Sequence, residues 1–354
     1  MGDGRAPRLK DVAVAAGVHV STASRALNEQ TTGLVNPETT ERVRQAAHAL
    51  GYRINGMARA LKTRRSLAIG MLVPDITNPF FPPIVRGAED AFAEAGYSLV
   101  LSNTDNDPDK ARRQLAAMLE TRVDGLLLAT ALRNDELVAE LAASDTPVAL
   151  VNRTVDADAD GATVSAAVPD DHLGVALAVE HLYQLGHRRI AYLGGPLDVS
   201  NGHRRRVSFD QAARRLGLDQ AVAVEAAAFN EAEGRRGAAA LLGHALDANG
   251  AGSARPTAIM AGNDLMALGV LDAAAARGLA CPRDLSVVGF NDMPLADRMR
   301  PPLTTVRVAE YDLGRRAAEL LLATIDNPRR SPETVLLAPE LVVRGSTGPA
   351  PSSS

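Results

Sequence analysis

Tryptophan is absent from the 354 residues, cysteine occurs once, and aromatic residues make up only 3%. The single thiol, Cys281, excludes an internal disulfide and any cysteine-rich zinc site. No stretch approaches the roughly 18 apolar residues that a membrane helix needs. The opening MGDGRAPRLKD carries no apolar leader core, so a cytoplasmic location is expected. Several chemistries are missing as well. The chain holds no GxxxxGK[ST] phosphate loop, no HExxH pair and no GxSxG elbow. Asp170 and Asp171 read as loop solvation, and His181 and His187 as parts of a surface helix and its exit turn. No enzyme activity, cofactor or metal is expected.

What is present is a globular composition, 46% hydrophobic and 23% charged, over a length that suits two or three domains. Its charge is unevenly placed. Through Arg65 there are eleven Lys/Arg against five acids, a head of +6, and since the whole chain carries −4 the remainder carries −10. A basic head on an acidic body is the electrostatic footprint of phosphate-backbone binding at one end.

Within that head, Leu9, Val12, Ala13 and Ala16 share one face of a short helix that Gly17 ends, and Ala23 and Leu27 turn inward on a second. Val20, Ser21 and Arg25 are left outward. Two short helices around a glycine turn form a helix-turn-helix, whose second helix enters the major groove of DNA. A third helix is punctuated by Asn36 as N-cap, Pro37, Glu38 and a closing Gly51, with Val43, Ala46, Ala47 and Leu50 as its buried stripe. From Ser66 to Gly345, apolar runs such as LAIGMLVP, GLLLAT, RIAYLGG and LSVVGFN alternate with amphipathic segments, a pattern of parallel sheets covered by helices.

The runs GVHVSTASRALN and VNPETTERVRQAAHALGY strongly resemble the DNA-binding domain of the LacI/GalR family of bacterial transcriptional regulators, and the likeness continues along almost the whole chain. It implies an all-α helix-turn-helix domain at 1–51 and a hinge helix or linker at 52–65. An α/β body follows at 66–345, a two-lobed, periplasmic-binding-protein-like fold with parallel sheets. Lobe 1 is expected at about 66–166 and 294–325, lobe 2 at about 167–293 and 326–345, and 346–354 as a disordered tail.

On the same resemblance Val20, Ser21 and Arg25 meet base edges, while Thr22, Ser24, Asn28, Asn36 and Thr39 bond the DNA backbone. Leu61 wedges into the minor groove beside Asn55, Met57 and Ala58. His19 stands where the family has a capping Ser or Thr, and Ile54 where it has a proline. Effector contacts fall on Asn78, Phe80, Phe81, Thr130, Asn152, Arg153, Arg205, Phe229, Asn263 and Asn291. Asn152 and Asn291 replace the aspartates of sugar-binding relatives while Arg153 and Arg205 remain. A net positive cleft is therefore expected, favouring a sugar phosphate or sugar acid over a neutral sugar. The implied protein is a homodimeric regulator, most simply a repressor, on near-palindromic operator DNA, controlled by a small carbohydrate-like effector. The alternative is a cytoplasmic small-molecule sensor without DNA binding.

Overall fold

The computed structural model describes residues 7–27, 32–52, 65–156, 164–243 and 255–351. The chain divides into two units, 1–66 and 67–354.

The first unit is built from α1 (Leu9–Ala15), α2 (Val20–Leu27) and α3 (Pro37–Ala49). Gly17, at φ +61°, makes the turn between the first two. Val12, Ala13, Ala16, Ala23, Ala26, Val43 and Ala47 close a small core. The Asn36 side chain accepts from the Glu38 amide at 2.9 Å, with Pro37 in the first turn, as the sequence implies. Leu50 departs from expectation: it is 40% exposed, and Thr40 is buried on that helix instead. Leu50 is the C-cap, just beyond the last turn of α3, where the helix has run past the partners that form the core.

The second unit contains two six-stranded sheets. Sheet 1 is formed by β1 (Ala68–Val73), β2 (Ser98–Asn103), β3 (Gly125–Leu128), β4 (Val148–Val151), β5 (Ser165–Pro169) and β11 (Thr334–Leu337), in the order β11-β5-β4-β3-β1-β2 and parallel throughout. Sheet 2 is formed by β6 (Ile190–Gly194), β7 (Val222–Glu225), β8 (Ala258–Ala261), β9 (Ser286–Asn291), β10 (Thr304–Arg307) and β12 (Glu340–Val342), in the order β12-β10-β9-β8-β6-β7. Only β12 runs antiparallel, to β10. Parallel strands are covered on both faces, which is why β1, β3, β4, β8 and β9 are nearly continuous apolar runs. Helices α4 (Phe81–Glu94), α5 (Pro108–Glu120), α6 (Glu136–Ala142), α7 (Asp171–Gln184), α8 (Ser200–Arg215), α9 (Glu231–Gly243), α10 (Asp264–Ala275) and α11 (Glu310–Asp326) supply that cover. None of the described helices is long and apolar enough to cross a membrane.

The chain exchanges lobes at three places, two of them later than expected. The first lies just after Pro169. Strand β10 pairs in sheet 2, while α11 packs on α4 and on β3, β4 and β5 of sheet 1, so the second crossing falls at 308–309, not at the 293–294 that the expected lobe bounds imply. Strand β11 pairs in sheet 1 and β12 in sheet 2, which puts the third at 338–339, not at the 325–326 of the expected bounds. TTVR is too short and polar, and TVLL too short, to announce themselves as strands.

The expected disordered tail is corrected as well through Pro351. Ser346 is fully buried; its hydroxyl accepts from the Thr304 amide at 2.7 Å and donates to the Val287 carbonyl at 2.6 Å. The Ala350 amide donates to the Leu185 carbonyl at 2.8 Å. His187 is fully buried, not on a surface turn, with Nδ1 2.9 Å from the Thr257 hydroxyl and Nε2 3.1 Å from the Gly348 carbonyl. Beside them, burial pushes the Cys281 thiol up to about 12, so it is unreactive at neutral pH.

Candidate functional sites: ligand cleft and DNA-facing helix

The carboxyl ends of the strands of both sheets converge on one cavity of about 540 Å³. All ten residues expected at the effector site line it. Their roles differ. Asn78 accepts from the Phe80 amide at 3.1 Å and so shapes the loop after β1. Phe80 and Phe81 meet edge to face, centroids 5.3 Å apart, and are nine-tenths or more buried, so each also belongs to the lobe 1 core. Asn263 caps α10 through the Met266 amide at 2.8 Å and donates to the Phe229 carbonyl at 3.2 Å, so it positions the ring that faces the cavity.

Asn152 and Asn291 close β4 and β9, one from each lobe, at φ +65° and +120°. Asparagine tolerates the left-handed region better than most side chains, which suits it to these strand ends. Both amides are buried, and neither Oδ1 has a hydrogen-bond partner. Arg153 is also buried; it donates to the Thr130 carbonyl at 3.4 Å and to Asn106 Oδ1 at 3.3 Å, and its Nε is unpartnered. Desolvation lowers its guanidinium to about 10, opposed by the nearby Asp198 carboxylate, so it remains charged at neutral pH.

Arg205 is almost wholly buried. Its Nε lies 2.7 Å from Asp171 Oδ1, its Nη1 donates to the Gly262 carbonyl at 2.7 Å, and its plane rests 3.7 Å over the Phe290 ring. Asp171 is therefore no solvated loop residue; it sits on the inward face of α7, where Arg204 also reaches it at 3.0 Å. The expectation of a net positive cleft is overturned. Asp171 neutralises Arg205, and the cavity wall carries three arginines (112, 153, 205) against the acids Asp75, Asp107, Asp135, Glu136 and Asp198. Sequence reasoning missed this acidic rim. Its signal was the run NTDNDPD after β2, another strand end.

The lobes meet along one side of the cavity. The Arg133 amide donates to the Asp198 carbonyl at 2.8 Å and the Thr154 amide to the Ser200 hydroxyl at 2.9 Å. At the second crossing, Asp264 takes the Thr305 hydroxyl at 2.5 Å and the Met293 amide at 2.7 Å, and burial still raises it to about 6. Glu310, first residue of α11, is raised to about 8 by burial and then by Asp264 and Asp292, against a smaller opposing effect of Arg307. A carboxyl raised on folding contributes stability that is full below its unfolded value and lost as pH climbs through its folded one. Glu310→Gln is therefore expected to leave the melting temperature unchanged at pH 4 and below. At pH 9 it should stabilise the body by on the order of 1–2 kcal/mol, screening included.

In the head, Val20, Ser21 and Arg25 are exposed on α2, Thr22 and Ser24 are half-buried beside them, and Asn36 and Thr39 open α3. His19 keeps the cap: its Nδ1 accepts the Ser21 amide at 3.3 Å, the bond that a Ser or Thr hydroxyl makes at such a position. Arg42 Nε donates to the Ala16 carbonyl at 3.0 Å and ties α3 to the end of α1. Asn28 and the hinge residues Asn55, Met57, Ala58 and Leu61 lie outside the described residues.

Residues 8–55 match the model of bacterial regulatory proteins of the lacI family, and 179–347 that of a periplasmic binding protein-like domain. The chain is 36% identical over 343 residues to the ribose operon repressor of Escherichia coli, covering 96% of this chain and 99% of that one. It belongs to the LacI family. Among solved structures, the lac repressor dimer bound to operator and the anti-inducer ONPF matches with a TM-score of 0.83 at 28% identity, covering 97% of this chain and all of that one. A LacI family regulator from Enterococcus faecium with bound ribose matches with a TM-score of 0.67 at 29% identity, over 80% of this chain and 99% of the other. These LacI-family relatives are regulators of transcription by name, and the helix-turn-helix with a two-lobed body is the architecture this chain shares with them.

Proposed function

We propose that the chain is a sequence-specific operator-binding repressor, acting as a homodimer on a near-palindromic duplex, whose grip is set by a neutral, hydroxyl-rich ligand of about pentose size. One observation carries the choice of ligand. Asn152 Oδ1 on lobe 1 and Asn291 Oδ1 on lobe 2 are buried acceptors without partners, at the wall of one cavity with no excess positive charge. A ligand that bridges them must donate hydrogen bonds to both lobes. Sugar hydroxyls do this; a phosphate or carboxylate brings only acceptors and would meet Asp75, Asp107 and Asp198 as well. The names of the ribose operon repressor and of the ribose-bound E. faecium regulator support a pentose. To switch occupancy, such a ligand must distinguish two lobe arrangements by a few kcal/mol.

Calorimetry with D-ribose and D-ribose 5-phosphate tests the ligand: the free sugar is expected to bind and the phosphate to bind at least tenfold more weakly. The reverse order would sink this reading of the cleft. A gel shift on the region upstream of its own gene tests the head. Arg25→Ala is expected to lose specific retention, since an outward arginine takes guanine O6 and N7 together, while ribose binding is kept. If the unaltered chain retains no duplex specifically, the sensor reading takes its place.

A further inference from the structure

His19 does more than start α2. Its Nδ1 lies 3.3 Å from the Ser21 amide nitrogen and 2.8 Å from the Ser21 hydroxyl oxygen. An amide N–H can only donate, so Nδ1 must be the nitrogen with the lone pair, and the neutral ring carries its proton on Nε2. The hydroxyl beside the same lone pair must then donate to it as well. The Ser21 proton points back at the imidazole, and only the oxygen lone pairs face outward. Among the described residues, no other hydrogen bond to either side chain competes.

A serine hydroxyl in the major groove is ordinarily ambivalent, because it rotates to donate or to accept. Here rotation is opposed by a 2.8 Å bond. We propose that His19 sets the base preference of the recognition helix by holding Ser21 as an acceptor. The base opposite Ser21 is thereby selected to present an amino group, adenine N6 or cytosine N4, over guanine or thymine, which offer O6 and N7 or O4. His19 is a positioning residue, acting through Ser21. The proposal rests on the reading that Ser21 meets a base edge, and the experiment separates the two.

The full-length chain is used to select sites from randomised duplexes, and each selected position is then measured with all four bases. The expected result is one symmetric half-site position where adenine or cytosine is favoured roughly five- to tenfold, the value of one hydrogen bond. In His19→Ala this preference falls to within twofold of parity, while preferences at other positions and the salt dependence of non-specific binding hold. His19→Gly must do the same; glycine is nearly as good an N-cap, so its flattening is not a loss of the helix. Ser21→Ala must flatten the same position. If Ser21→Ala flattens it and both His19 variants leave it intact, the proposal is overturned and the base contact stands. If Ser21→Ala changes no position, the base contact itself is wrong. A preference for guanine or thymine there also overturns the proposal.

Discussion

Arg205→Met is expected to melt the body roughly 6–12 °C below the unaltered chain and to remove the stabilisation by ribose that the proposed function requires. Breaking a buried ion pair costs about 3–5 kcal/mol, because the surviving charge stays desolvated. Asp171 is fully buried, but Arg204 still holds its second oxygen at 3.0 Å, so the loss lies at the low end. For a body of this size each kcal/mol moves the melting point by about 2–4 °C. The guanidinium also closes on the Gly262 carbonyl and the Phe290 ring, which fastens α8 to the ends of β8 and β9 at the cavity. Arg205→Met with Asp171→Leu removes both charges and should regain much of the stability while leaving ribose without effect. Calorimetric melts with and without the sugar measure both outcomes. A melting point within a degree of the unaltered chain would show that the pair holds nothing together.

Gly314→Ala is expected to destabilise the body by about 3 kcal/mol or more, at the upper end of what overpacking does. A Cβ on Gly314 would stand 1.9 Å from the Ile84 carbonyl oxygen and 3.0 Å from the Ala88 nitrogen, and one on Gly87 2.0 Å from the Tyr311 oxygen. The two helices, α4 and α11, thus rest backbone on backbone at reciprocal glycines. The obstacles are main chain, so no side chain can swing aside; the helices must part and open the lobe 1 core along their length. Gly243→Ala is the control. Its Cβ meets nothing within 4 Å, and it should be neutral or slightly stabilising in urea titrations of both variants.

Much of this was legible because it is local. The parallel strands announce themselves as apolar runs, and the third helix by Asn36, Pro37 and Gly51. The ten cleft residues follow from the resemblance together with the rule that ligands sit at strand ends. What escaped depends on partners far along the chain. Thr304 and Thr305 look too polar for a buried strand until Ser346 and Asp264 are known to satisfy them. Asp171 reads as solvated until Arg205, 34 residues on, folds against it, and the cleft's electrostatic sign changes with that pairing. Leu50 was misplaced because periodicity does not record where a helix runs past its partners.

The interleaving of the lobes constrains how the protein is made. Sheet 1 lacks its edge strand until residue 337 exists, and sheet 2 lacks both β12 and the Ser346 to Ala350 strap that lies under His187. Neither half can mature before these late strands and the strap have been made. The three-helix head closes from residues 9–49 alone, and so is finished first. The nascent chain owns a complete three-helix head well before the two-sheet body that follows it is finished.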